Sequence, residues 1–179
     1  MNWDQIGNWF VMFLSGCGVA LEIFAVTLVC AIPLGVLLSF GRRSKYKVIS
    51  WPVSLYISIM RGTPLLLQLL FVYFAPKYMF GLNYDRFLAA LIAFVLNYAA
   101  YFAEIFRGGI ESIPKGQYEA ASMLGMSRLQ TFFRIVLPQV VKRVIPATAN
   151  EVIVLVKDTS LANVIAFAEI TLKSKQMMN

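Results

Sequence analysis

Residues 108–143 read GGIESIPKGQYEAASMLGMSRLQTFFRIVLPQVVKR. The stretch is too long for a simple turn and too amphipathic to be disordered, so it reads as one or two short helices. Helix-favouring residues run over 117–124, and Gly125 breaks them. Ser127 is a natural N-cap for a second helix over 128–136, which Pro138 should close. On either side lies apolar chain: 87–106 holds only Asn97 and Glu104 against the trend, and 144–167 only Glu151, Lys157 and Asp158 among its charged positions. A bilayer core takes about 20 residues of helix. The quoted stretch is therefore a polar wedge between two membrane spans.

Two more apolar runs precede it. The first, 10–40, is interrupted by a single charge, Glu22, and fits one span over 20–40. The residues before it, with Trp3, Trp9, Gly16 and Gly18, read as an interfacial lead-in. The second run, 48–75, carries Pro52, Pro64 and Arg61. An arginine at a helix centre costs at least ~2.5 kcal/mol, so Arg61 is expected to face protein or water; the alternative starts the span near Gly62, with the preceding piece at the interface. Four spans result. The composition agrees, since 59% of the residues are apolar and 14% charged, against roughly a quarter charged in soluble proteins. Lysine and arginine number ten over 42–47 and 107–143, but only four at Lys77, Arg86, Lys173 and Lys175. Positive loops stay inside, which places the amino terminus outside and 107–143 in the cytoplasm. Cys17 and Cys30 share one helical run roughly 20 Å apart and cannot bridge. Histidine is absent and no GxxxxGK[ST] phosphate loop occurs, so neither metal chemistry nor a nucleotide-driven motor is expected in this chain.

Charges within spans are candidates for function. Glu151 and Asp158, seven residues apart, share a helix face, with Lys157 beside the second. They read either as an internal ion-pair network or as a substrate site. The polar step Lys157–Ser160 between apolar halves suggests an interrupted helix, with Asp158, Thr159 or Ser160 capping the second half and its free N–H groups receiving a carboxylate, while Glu151 receives an ammonium or guanidinium. Such a pocket suits a zwitterionic amino acid. Asn97 and Tyr98 add hydrogen bonds to it or serve as interhelical contacts. Glu22 reads as water-facing, and Glu104 as an interfacial partner of Arg107.

The spacing of the wedge carries more. Glu119-Ala120-Ala121, three residues, Gly125, nine residues, then Ile135-Val136-Leu137-Pro138 resembles the EAA loop of bacterial ABC importer permeases. Arg61-Gly62-Thr63-Pro64 resembles the signature of the polar amino acid class of these permeases, and Lys157-Asp158-Thr159-Ser160-Leu161 resembles the same class late in its sequence. The resemblance implies an all-α polytopic bundle of the ABC type I importer permease fold, a single domain over 1–179. Four spans are expected, with the family's usual fifth missing where the chain stops at Asn179. It implies that Glu119, Ala120, Ala121, Gly125 and Pro138 couple to ATP-binding cassette subunits, which hold ATP-Mg while this chain binds no cofactor. It further implies a homo- or heterodimeric permease partner and an extracytoplasmic amino acid-binding protein. Substrate-binding expectations fall on Glu151, Lys157, Asp158, Ser160 and Asn97. The rival reading is an ion-coupled secondary transporter or channel. A membrane-tethered regulator reading nucleic acid through 120–136, which has the cadence of a helix-turn-helix, is weaker, because tethering between two spans leaves little room in a major groove.

Overall fold

In a computed structural model that describes residues 3–83 and 85–162, with side chains from residue 16 onward, every regular element is helical. The first, α1 (Trp3–Arg42), is 40 residues long, and its part Gly16–Arg42 is long and apolar enough to cross a membrane. The expected span over 20–40 lies inside it, and the lead-in from Trp3 is helical as well.

The second apolar run differs from expectation. It forms α2 (Lys47–Gly62) and α3 (Leu65–Phe80), bent by 110° at the break, not one continuous helix from 48 to 75. The cause is Pro64, which lacks an N–H and pushes the residue before it out of the helical region: Thr63 sits at φ −118°, ψ 144°. The break strips carbonyls of their helical partners, and side chains replace them. Gln68 Nε2 donates to the Met60 and Thr63 carbonyls at 2.9 and 3.1 Å, and Asn97 Nδ2 reaches Met60 O at 3.3 Å and Gln68 Oε1 at 2.9 Å. The Thr63 hydroxyl donates to Ile59 O at 2.8 Å. In a bilayer, irregular backbone survives only where such partners exist.

The central element is α4 (Arg86–Glu111), started by Asp85, whose Oδ2 accepts from Phe87 N at 3.1 Å. It contains the expected span 87–106, runs five residues past it, and packs against α1, α2 and α3. Small residues permit the close approach, since Ala89, Ala90, Ala93, Ala99, Ala100 and Ala103 are all buried. Gly35 of α1 is the tightest point of that crossing described by an added Cβ on this face: the atom would lie 2.7 Å from Phe102 Cβ and 3.1 Å from Ala103 N. Membrane helices pair through such small residues.

Past Glu111 come α5 (Lys115–Met123), the short α6 (Arg128–Thr131) and a π-helical turn (Phe132–Val136) that runs without a break into α7 (Leu137–Asp158). Pro138 was expected to close a helix over 128–136, and it does not. It sits in the first turn of α7, where a missing N–H costs little, and the wider π turn just before it takes up the change in hydrogen-bond register. A 3-10 turn (Thr159–Leu161) follows α7, and Ala162 is again helical. Of the expected fourth span, 144–167, residues beyond 162 lie outside the described residues. α7 alone is too rich in charge to pass as an apolar span, whereas α1, α4 and the bent pair α2–α3 qualify by length and composition. Cys17 and Cys30 are both free, as expected.

Gly35→Ala should destabilise the purified protein by about 1–3 kcal/mol, because neither Phe102 Cβ nor the α4 backbone can yield easily. Gly108→Ala, where an added Cβ meets nothing within 4 Å, should be neutral or slightly stabilising. Thermal unfolding in detergent reads both; equal melting temperatures for the two variants would contradict the α1–α4 crossing.

Candidate functional site

Glu104 lies on α4 about two turns before its end, with its side chain 19% exposed. Arg107 chelates it through Nε, at 3.1 Å, and Nη2. Arg42 from α1 comes within 3.4 Å, and Arg61 from α2 within 4.0 Å. Arg107 also pairs with Glu111, which Arg43 approaches at 3.9 Å. Arg42 donates to the Ser54 hydroxyl on α2. One carboxylate thus collects cations from three helices. The pairing with Arg107 was legible at i, i+3; Arg42 and Arg61 were not, because they arrive from elsewhere in the chain.

Arg61, with its side chain 43% exposed, stacks over the Tyr101 ring with 5.4 Å to the centroid. From there it also interacts electrostatically with Glu151 on α7, as Asp158 does. The Tyr98 hydroxyl of α4 donates to Asp158 Oδ2 at 2.8 Å. Between Glu151 and Asp158 along the helix, Leu155 is fully buried against the bundle. The structure therefore gathers Arg61, Tyr98, Tyr101, Glu151 and Asp158 between α4, α2 and α7.

Other expected site residues go elsewhere. Asn97 is 4% exposed and its amide N–H is spent on the α2–α3 break. Lys157 and Ser160 lie exposed, and Lys157 meets no carboxylate among the described residues. The interrupted helix is not seen at 157–160. Asp158 and Thr159 keep right-handed helical angles, and the Asp158 side chain makes no cap. The Thr159 and Ser160 hydroxyls turn back to the Val156 and Lys157 carbonyls, each at 2.8 Å. Such back-bonding tightens a helix into a 3-10 turn without freeing N–H groups, so these residues present no row of donors to a carboxylate. Glu22 is exposed on α1.

The wedge is built as a rigid unit. Gly125 takes φ +72°, a left-handed conformation that side chains resist. The Met126 amide N–H closes the turn onto Ala121 O at 3.0 Å. Ser127 then starts α6 with a reciprocal capping box: its Oγ accepts from Gln130 N at 3.3 Å and its N–H donates to Gln130 Oε1 at 2.9 Å. Ile110, Ile113, Val136 and Val140 form a core beneath it, Gly109 lets Val144 approach α4, and Arg143 donates to Ser112 O. Ala121 is fully buried in this fold, so its small size serves packing within the chain; Glu119, Ala120, Gly125 and Pro138 are exposed. Around Glu119 the outer surface is apolar, with Met123 89%, Leu124 77% and Leu129 72% exposed. Sequence reasoning passed over these three, although apolar residues in a loop between spans were the available signal.

The description of binding-protein-dependent transport system inner membrane components matches residues 31–179. A probable amino-acid ABC transporter permease of Bacillus subtilis, YckA, is 40% identical over 98% of this chain and 80% of its own. The octopine transport system permease OccM of Rhizobium radiobacter is 41% identical over 96% of this chain and 74% of its own. Among solved structures, an amino acid ABC transporter crystallised with histidines superposes with TM-score 0.83 at 33% identity, over 99% of this chain and 82% of that one. The methionine ABC transporter MetNI shares the fold at TM-score 0.65 and 19% identity, over 92% and 77% of the two chains. With its all-helical, multi-pass architecture and its helical wedge, this chain belongs to the family of inner membrane components of binding-protein-dependent transport systems, the permease subunits of ABC importers.

Proposed function

We propose that this chain carries polar amino acids across the cytoplasmic membrane by alternating access, with its amino terminus outside and the wedge in the cytoplasm. The observation that carries the reading is the gathering of Arg61, Glu151 and Asp158 on one side of α4, with Tyr98 and Tyr101 between them. An amino acid brings one cation and one anion, and in a poorly solvated place each needs a partner of opposite charge. Glu151 and Asp158 suit an ammonium or guanidinium. Arg61 suits a carboxylate, a role that the side chains at 158–160 do not fill. The relatives' assignments to amino acids support the same class.

In this reading the chain pairs with a second permease, identical or related, and takes substrate from an extracytoplasmic binding protein. It has no catalytic residue of its own; ATP-Mg is held and hydrolysed by cassette subunits docked at Glu119, Met123, Leu124 and Leu129. Because α6 runs without a break through the π turn into α7, and the Gly125 turn closes α5 onto α6, movement of a docked subunit passes to α7, which carries Glu151 and Asp158. A secondary transporter coupled to ions would have no use for a wedge that ends on an exposed apolar surface, and the relatives are ABC permeases.

Two measurements test this. Glu151→Ala should abolish the thermal stabilisation of the purified transporter by every amino acid in a panel, and an unaltered response would remove Glu151 from the pocket. Gly125→Leu should strain the turn by about 1–2 kcal/mol, because its backbone is left-handed. ATP-driven uptake in vesicles should then fall at least severalfold while amino acid stabilisation persists; unchanged uptake would contradict coupling through the wedge.

A further inference from the structure

The end of the bundle that holds Glu104 carries more positive charge than its ion pairs use. Arg42, Arg61 and Arg107 share Glu104, and Arg43 and Arg107 share Glu111. Lys45 and Lys47, just beyond α1, pair with no carboxylate among the described residues. Beside them opens a groove of about 980 Å³, whose lining includes Arg42, Lys47, Val48, Trp51, Ser54 and Arg107.

The groove has two chemistries side by side. Its rim is net cationic: Lys47 is unpaired, and with Arg42 and Arg107 it outnumbers the one carboxylate in the lining, Glu111, which Arg107 holds. Its wall is apolar and open, with Val48 86% and Trp51 68% exposed. A soluble anion has a use for the rim and none for the wall. A membrane phospholipid has a use for both, because its phosphate meets lysine where its glycerol and first acyl carbons meet an interfacial tryptophan. The location agrees: α1, a membrane-crossing helix, ends at Arg42, and basic residues just outside a span are where an anionic leaflet exerts its field.

We propose that this groove is a binding site for an anionic phospholipid, with the phosphate against Lys47, Lys45 strengthening its field, and the upper acyl chain along Val48 and Trp51. The lipid would span the ends of α1 and α2, which touch directly here through Arg42 and Ser54. The site stands apart from the substrate residues on α7 and requires only the membrane orientation given above to name the leaflet, so lipid binding and amino acid transport can fail independently.

The test uses the full-length chain in the assembly in which it purifies, placed in nanodiscs of equal phosphatidylglycerol and phosphatidylcholine and analysed by native mass spectrometry. The wild type should retain one phosphatidylglycerol per permease chain in preference to phosphatidylcholine. Each surface lysine contributes about a fivefold gain in affinity for an anionic leaflet, so Lys45→Gln with Lys47→Gln should weaken retention roughly thirtyfold. Lys45→Arg with Lys47→Arg should retain the lipid, which separates charge loss from misfolding, and Trp51→Ala should weaken retention with the charges intact. No preference for phosphatidylglycerol in the wild type would overturn the proposal. So would full retention by the double glutamine variant, displacement of the lipid by inorganic phosphate, or occupation of the groove by a co-purifying protein subunit.

Discussion

A carboxylate held at the edge of a membrane cannot stand alone, and in this permease Glu104 does not. Ionised groups leave water at a cost of several kcal/mol, recovered only through close, well-aligned partners. Three arginines from α1, α2 and α4 supply them. The consequences spread along the bundle. Arg42 ties the end of α1 to both α4 and Ser54 of α2, and Arg61 is held where it can also face Tyr101 and Glu151 of α7. Removing Glu104 would leave a set of like charges with no common anion, so the cluster orders three helices at once.

A similar rule governs the backbone at Pro64. Proline breaks the helix and a bilayer offers no water for the freed carbonyls, so Gln68, Asn97 and Thr63 take over. Asn97 links that break to α4, so the bend between α2 and α3 is fixed against the central helix. Through Met60, the segment that holds both Arg61 and Pro64 is thus tied to an amide 37 residues further along the chain.

Much of this was legible in the sequence, and the misses share a cause. Apolar runs gave α1 and α4, and the left-handed turn at Gly125 with the Ser127 cap followed from local chemistry, which depends on neighbours a few residues away. Pro64 was visible but read as a feature within one span, because hydropathy does not register a change of direction. Pro138 was read as a stop, although a proline in a first turn is compatible with a helix that continues. Asn97 and Ser160 were assigned to a pocket by their polarity; the first is taken up by the break at Met60 and the second by its own backbone. Glu104 was reduced to a local pair because its other two partners come from distant segments. Contacts across the bundle are set by three-dimensional packing, and spacing along one helix does not encode them.

The convergence on Glu104 is tested most directly by a double-mutant cycle between Glu104 and Arg42, whose side chains are 19% and 25% exposed and belong to different helices. Glu104→Gln, Arg42→Gln and the double variant would be compared by reversible unfolding of the purified protein in detergent. The expected result is a coupling of about 0.5–3 kcal/mol, the double variant losing less than the sum of the two single losses. Additivity within about 0.3–0.5 kcal/mol would contradict the account, because it would mean that α1 and α4 are held together without this pair.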